Sequence, residues 1–357
     1  MNILFYFGHP AQYLFASESI KKLKELGHNI LILIRSKDVL EELVRSSGLT
    51  YINILPEGRS NHLFGIIMGV LKRDWRVFLH VRNRKLDLMV GTDPSIAHVG
   101  KLLSIPVITT LEDDADVIPR LAKLTFPFTK HIFAPKVCRV GKRFQKKKLS
   151  YDGYMKLAYL HPDYFKPNKQ LSVKSDKPYI LIRFAKLTAH HDVGVSGLNV
   201  SIIDKINEIA GDRFRVLINT EYSLPNRYRS QCLDIKPTNI HHVLYYSNLF
   251  ISDSQSMSVE ASMLGVPSIR YSSFSGRISV LEELEHIYGL THSIKPPGEE
   301  KLFSLIKSLL NEKDLKKSYQ LKKEKMLSEK VDVTELFTTL IDQYPESLEK
   351  FNGWTTG

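Results

Sequence analysis

The sequence predicts an α/β protein made of two doubly wound domains in tandem, each built on a parallel sheet. Three observations carry that prediction. Apolar β-type runs alternate with amphipathic stretches. The alternation stops over residues 161–177 and then restarts. The chain has 357 residues, more than one typical domain, so two domains are the natural division.

The elements follow in order. NILFYFG (2–8) is continuously apolar, as a strand buried on both faces requires. A helical pattern runs through Leu26, and Gly27-His28 stops it. NILILIRS (29–36) is the second strand, followed by a helix closing near Gly48; YINILP (51–56) is the third. A long basic amphipathic segment covers 62–84. DLMVGTD (87–93), PVITTLED (106–113) and KHIFAPK (130–136) supply three more strands. Such strands separated by helices form parallel sheets covered on both faces, with right-handed crossovers. HPDYFKPNKQLSVKSDK (161–177), rich in proline, lysine and small polar residues, reads as a linker. The second series is PYILIRFA (178–185), a helix near 197–210, RFRVLINTE (213–221), a short pattern around 239–246, NLFISDS (248–254), a helix, and PSIRYS (267–272). Helical stretches at 278–287, 299–327 and 332–343 finish the chain. The expected divisions are 1–160, the linker 161–177, and 178–345, with the last helices packing back on the first domain.

Composition narrows the function classes. At 43% hydrophobic and 25% charged residues the chain is ordinary globular protein. Its net charge of +12 suits an anionic partner: nucleic acid, acidic lipid or a phosphorylated substrate. The cations cluster at 72–85, 136–148 and 316–325. Two distant cysteines, Cys138 and Cys232, argue against a disulfide framework or a cysteine zinc site. MNILFYFG lacks the basic start of a secretory signal, and no apolar run approaches the ~18 residues of a spanning helix. A cytoplasmic protein is expected, peripheral at the inner face of the membrane if the basic segments bind lipid. No Walker A motif, GxGxxG or nucleic-acid-reading motif is present, so nucleic acid is not expected as a partner.

Open parallel sheets bind ligands outside the carboxyl ends of their strands. Those ends carry Gly8-His9-Pro10-Ala11-Gln12, Thr92-Asp93, Glu112-Asp113-Asp114, Arg183 to Lys186, Asn219-Thr220-Glu221 and Asp253-Ser254-Gln255-Ser256. The richest is ISDSQSMSVEASMLGVPSI (251–269). Ser254 is placed to cap a helix, whose free N–H groups and dipole favour an anion such as a pyrophosphate. Glu260 shares a face with Ser256, at the distance of a carboxylate accepting from two ribose hydroxyls. A solvated carboxylate in the first turns of a helix fits the same spacing.

ISDSQSMSVEASMLGVPSIR (251–270) resembles the donor-nucleotide motif of two-domain GT-B glycosyltransferases. It is also similar to the matching stretch of the non-hydrolysing UDP-GlcNAc 2-epimerases. There a Ser-Gly-Gly-type turn precedes a helix whose Glu grips the ribose; here Gln255-Ser256 replace the glycines. With YDGYMKLAYLHPDYFKPN (151–168) and LIRFAKLTAHHD (181–192), most of the chain looks closest to an uncharacterised GT-B-like family, domain of unknown function 354. VGTDPSIAHVGKLLSIPVITTLEDD (90–114) is similar to the epimerase segment carrying two catalytic acids, with Asp93 and Glu112 on the matching positions. The third epimerase acid has no counterpart, and the first-strand Gly-Thr-Arg-Pro-Glu is here Gly8-His9-Pro10-Ala11-Gln12. These departures favour a related transferase over a 2-epimerase.

The resemblance implies a GT-B-like fold, with two Rossmann-like domains facing a central cleft. The expected reaction moves a sugar from a nucleotide-sugar donor to the hydroxyl of a glycan or lipid-linked glycan in surface polysaccharide assembly. The donor nucleotide is assigned to Arg183, Lys186, Ser254, Gln255, Ser256 and Glu260. His9, Glu112 and Asp113 are the catalytic candidates, His9 or one of the acids serving as general base. Gln12, Asp93 and Asp114 are placed on the acceptor side. No cofactor and no metal are expected. Asp114-Ala115-Asp116 is too short a pattern to mark a metal site, and adjacent His190-His191-Asp192 cannot easily share one ion. The apolar and basic residues of 62–84, with Lys142 to Lys148, have the composition of an anionic-membrane contact, or of a core helix with a basic outer face.

Overall fold

A computed structural model describes residues 1–56, 63–184, 197–220 and 223–352. They belong to two compact units, Met1–Tyr159 with Lys330–Gly357, and Leu160–Glu329.

Among the described residues, the first unit is built on seven parallel strands: β1 (Asn2–Phe7), β2 (Asn29–Arg35), β3 (Ile52–Leu55), β4 (Leu88–Gly91), β5 (Val107–Thr110), β6 (His131–Pro135) and β7 (Lys148–Tyr151). Their order is β3-β2-β1-β4-β5-β6-β7. The helices are α1 (Pro10–Glu25), α2 (Leu40–Ser46), α3 (Leu63–Val81), α4 (Pro94–Leu102), α5 (Pro119–Thr125) and the single turn α6 (Leu157–Leu160). Ile3, Leu4, Phe5 and Tyr6 of β1 are all fully buried, as a central strand covered on both faces must be. Leu4 and Tyr6 join Leu33, Met89, Val77, Val81 and Ile96 in one core cluster.

The strand β7 was not expected, because the run before it is a string of lysines. Lys148 is buried within it, its Nζ donating to the carbonyls of Lys136 (2.9 Å) and Cys138 (2.7 Å). The ammonium of Lys147 donates to the carbonyls of Phe126, Pro127 and Thr129. Both lysines are therefore structural, which corrects their assignment to a lipid-binding cluster.

The second unit carries β8 (Tyr179–Phe184), β9 (Arg215–Thr220), β10 (Leu249–Ser252), β11 (Ser268–Tyr271) and β12 (His292–Ile294), parallel and in the order β12-β11-β10-β8-β9. Its helices are α7 (Val200–Ala210), α8 (Ile240–Tyr246), α9 (Gln255–Leu264), α10 (Ser279–His286), α11 (Glu299–Asn311) and α12 (Leu315–Glu329). The pattern at 299–327 thus divides into two helices. Gly265 closes α9 with a left-handed φ of 64°, and Gln320 of α12 donates to the carbonyls of Leu264 and Gly265.

The chain ends with α13 (Val333–Asp342) and α14 (Leu348–Asn352), in the first unit. Phe337 packs on Phe15 of α1 and Phe133 of β6, ring centroids 4.7 and 5.0 Å apart. Thr334 donates to the Ala158 carbonyl at 2.7 Å, and His28 lies 2.8 Å from Asp342. The expected end of the second domain at 345 is thus replaced by Glu329. Residues 161–177 are not a free linker either. Phe165 stacks on His242, the Asn168 N–H donates to His242 Nδ1, and Ser172 bonds Tyr179. These contacts fold the segment onto the second unit. Among the described residues no helix is long and apolar enough to cross a membrane.

Candidate functional site

In the second unit the chain passes from β8 to β9 on one side and then to β10 on the other. The strand order reverses between β8 and β10, which in open parallel sheets is where a ligand finds room beyond the carboxyl ends. The register places Arg183 beside Ser252 of β10 and Asn219 of β9. Arg183 Nη1 donates to Asn219 Oδ1, which holds the guanidinium at the strand ends. Lys186, Glu221 and the His190-His191-Asp192 cluster lie outside the described residues.

Beyond β10 the backbone turns into α9. Ser254 caps it, Oγ accepting from the Met257 N–H at 3.4 Å, and Ser252 Oγ fixes the turn by accepting from the Ser254 N–H at 2.7 Å. Residues Ser254 to Met257 are half-buried, whereas Ser258 to Leu264 are buried throughout. The first turn carries no acidic residue. The positive end of the helix is therefore the part that solvent, or an anion, can reach. Ser258 and Ser262 return their hydroxyls to carbonyls one turn earlier.

Gln255, expected among the donor ligands, points the other way. Its Oε1 accepts from Arg270 Nη1 at 2.6 Å and its Nε2 donates to Ser272 Oγ at 3.0 Å. Arg270 is fully buried in β11, with Nη2 donating to Ser293 at 2.6 Å and lying 3.7 Å from the Glu282 carboxylate as an ion pair. Burial pushes the guanidinium pKa down, and Glu282 and Glu285 oppose this. A buried cation needs acceptors, and Gln255 is one of them. Its side chain is thus engaged by Arg270 and Ser272, and it braces that turn.

Glu260 is buried on α9, its Oε2 3.3 Å from Nε2 of the buried His241 on α8. A carboxylate withdrawn from water needs such a partner. Nothing in the local sequence marks His241; packing of α8 on α9 brings it to Glu260. Asp253, also buried, lies against the backbone at 197. A Cβ on Gly197 would come within 2.9 Å of Asp253 Oδ2, so a side chain there would push the Asp253 carboxylate aside.

In the first unit the order reverses between β1 and β4. Tyr6 pairs with Gly91, whose φ of 153° and 2.6 Å Cβ clearance from the Tyr6 carbonyl admit only glycine. His9 caps α1, with Nδ1 accepting from the Ala11 N–H at 3.2 Å. In the neutral ring the proton then sits on Nε2. Gln12 Oε1 accepts from the Gly8 N–H at 2.8 Å, and Arg35 Nε donates to the Gly8 carbonyl at 3.2 Å. Asp93 caps α4 by accepting from the Ser95 N–H at 3.0 Å and lies 3.4 Å from buried Arg73.

The acids after β5 divide by partner. Glu112 is 2.7 Å from Lys156 Nζ and accepts from the Met155 N–H at 2.6 Å. Asp114 is fully buried, accepts from the Arg139 N–H at 2.7 Å and lies 3.5 Å from the Arg139 guanidinium. Asp116 also pairs with Arg139, at 3.3 Å. Asp113 differs: the residue is exposed. Partial withdrawal of its carboxyl from water raises its pKa, Lys156 lowers it, and the charges of Glu112 and Asp114 raise it further. Cys138 is buried with its thiol pKa pushed up by that burial, as an inert core thiol.

No protein-family description matches the chain, and no curated protein matches it. Membership of the uncharacterised family is therefore not established. Solved structures do match. A UDP co-structure of MnaA from S. aureus aligns over 97% of this chain and 97% of its own, with a TM-score of 0.69 and 12% identity. The UDP-GlcNAc 2-epimerase from Neisseria meningitidis, bound to UDP-GlcNAc, aligns over 98% and 100%, with a TM-score of 0.64 and 15% identity. The fold is GT-B-like. The glycosyltransferase SsfS6 from Streptomyces sp. SF2575, complexed with thymidine diphosphate, covers 96% and 99%, with a TM-score of 0.62 and 13% identity. Epimerases and glycosyltransferases thus share the GT-B-like fold with this chain.

Proposed function

We propose that the protein is a glycosyltransferase that moves a sugar from a nucleotide-sugar to an acceptor hydroxyl of a glycan or lipid-linked glycan. The observation that carries this reading is the half-open first turn of α9 with buried Glu260 behind it. The pyrophosphate would sit at the helix start, against Ser254 and Ser256. Glu260, oriented by His241, would accept from the ribose hydroxyls. Arg183, tied to Asn219, would offset charge gathering on the leaving phosphate. That structural neighbours carry UDP, UDP-GlcNAc or thymidine diphosphate supports a nucleotide-sugar partner.

Asp113 is the general base in this scheme, because a raised carboxyl pKa strengthens it as a proton acceptor. His9 supplies a donor from Nε2. Glu112 and Asp93, the counterparts of two epimerase acids, are each held: one by Lys156, the other as a helix cap beside Arg73. Acids fixed in this way are poorly placed to shuttle protons at a sugar carbon, which supports transfer over epimerisation. The test is a thermal-shift panel of nucleoside diphosphates. At about a hundredfold over Kd a true ligand stabilises by roughly 2.7 kcal/mol, a rise of a few degrees. A panel with no selective rise refutes the nucleotide site. A UDP-sugar converted to its epimer without acceptor, seen by NMR, refutes the transferase in favour of the epimerase.

A further inference from the structure

The helix α3 has two opposed faces. On the inner one Val77 and Val81 are fully buried, Arg73 is buried against Asp93, and Asp74 bonds His98 at 2.9 Å. On the outer one Met68, Leu71, Trp75 and Leu79 are 52%, 55%, 58% and 43% exposed. At 3.6 residues per turn these four fall within about 80° of arc, a straight apolar stripe along the helix. Phe78, half-buried against the core cluster, supports it from below, its ring stacked on Trp75 with centroids 5.7 Å apart. Lys72 and Arg82 are exposed beside the stripe, and Arg84 and Lys85 continue the exposed cations past the helix end. The single acid between Leu63 and Leu86 is Asp74, and it is turned inward to His98.

We infer that this stripe docks on an anionic lipid surface. The helix would lie in the plane of the interface, with Met68, Leu71, Trp75 and Leu79 at the boundary between headgroups and acyl chains. Lys72, Arg82, Arg84 and Lys85 would meet lipid phosphates. Three features select a bilayer. The apolar residues project as a ridge, the shape that enters a soft surface. Trp75 is the side chain that favours the headgroup depth. The rim is of one sign, which an anionic surface complements. The inference stands whether or not the second unit holds a nucleotide.

The test is co-sedimentation of the full chain with vesicles of phosphatidylcholine, alone or with about one-third phosphatidylglycerol. The wild type is expected to bind the anionic vesicles at least about tenfold more tightly than the neutral ones, and more weakly as salt rises. Trp75→Glu with Leu79→Glu abolishes binding while the melting temperature holds, because both side chains are exposed. Lys72→Gln with Arg82→Gln leaves the apolar stripe intact and weakens binding roughly 25-fold, about fivefold per cation. Leu321→Glu, at an exposed leucine of α12, changes nothing. Binding indifferent to lipid charge, or undiminished in the Trp75/Leu79 variant, overturns the inference. So does a wild-type dimer in analytical ultracentrifugation that this variant makes monomeric, with no vesicle binding by either.

Discussion

Replacing Glu260 by glutamine keeps the shape of the side chain and removes its charge. The carboxylate is buried, and His241 Nε2 is 3.3 Å from its Oε2. If it also accepts from two ribose hydroxyls, each bond changes from charge-assisted to neutral, a loss of about 1 kcal/mol apiece. Two such losses, about 2 kcal/mol, weaken nucleotide binding roughly thirtyfold. Glu260→Ala removes both bonds and costs more, but it strips His241 of a buried partner and lowers stability by about 1–3 kcal/mol. Glutamine is therefore the cleaner probe, since its amide oxygen still accepts from His241. The assay is isothermal titration calorimetry with UDP and thymidine diphosphate, paired with a thermal melt of each variant. A Glu260→Gln dissociation constant within about twofold of wild type, with an unchanged melt, refutes the reasoning. Glu260 would then be a structural carboxylate that serves only to hold α8 on α9.

Three further outcomes are expected. Asp113→Asn lowers kcat by about 10²–10⁴ with donor KM little changed, and removes the acidic limb of the kcat/KM profile; an intact limb would place the base elsewhere. That limb is shifted upward from the ordinary aspartate value in wild type, because the folded Asp113 holds its proton to higher pH. Arg270→Lys keeps the charge but loses the fork between Gln255 and Ser293, destabilising the second unit by about 2–3 kcal/mol. Nucleotide affinity should fall with it, since Gln255 braces the first turn of α9; a loss of stability with unchanged affinity would remove that role. His131, its Nε2 buried and without a hydrogen-bond partner, has its pKa pushed down to about 4 by burial and by the nearby Lys130 and Lys147. The unfolded imidazole takes its proton near 6.5, before the folded one does. Stability is thus complete above that pH and lost as pH falls towards 4, by about 3 kcal/mol in the first unit. Urea titrations at about pH 7 and about pH 4.5 should show the loss, and His131→Phe should remove it.

The two parallel sheets were readable in the sequence because strands covered on both faces carry long apolar runs, as the inner parts of β1, β2, β8 and β10 do. The start of α9 was readable for a local reason too. Capping by Ser254, termination at Gly265 and the face carrying Glu260 depend on residues within a few positions of one another. Tertiary structure alone decided the rest. The strand β7 hides among lysines because the Lys148 ammonium is taken up by the carbonyls of Lys136 and Cys138. Glu260 finds His241 through helix packing, and Gln255 faces Arg270 through the neighbouring strand. The amphipathic segment at 62–84 fitted either a core helix or a surface one, until the burial of Val77 and Val81 left Trp75 and Leu79 outward. The final helices joined the first unit through Phe337, whose ring meets Phe15 and Phe133 from the opposite end of the chain. Local patterns set which segments become strands, helices and caps. Which buried charge meets which partner depends on contacts between segments distant in sequence, and no local pattern encodes them.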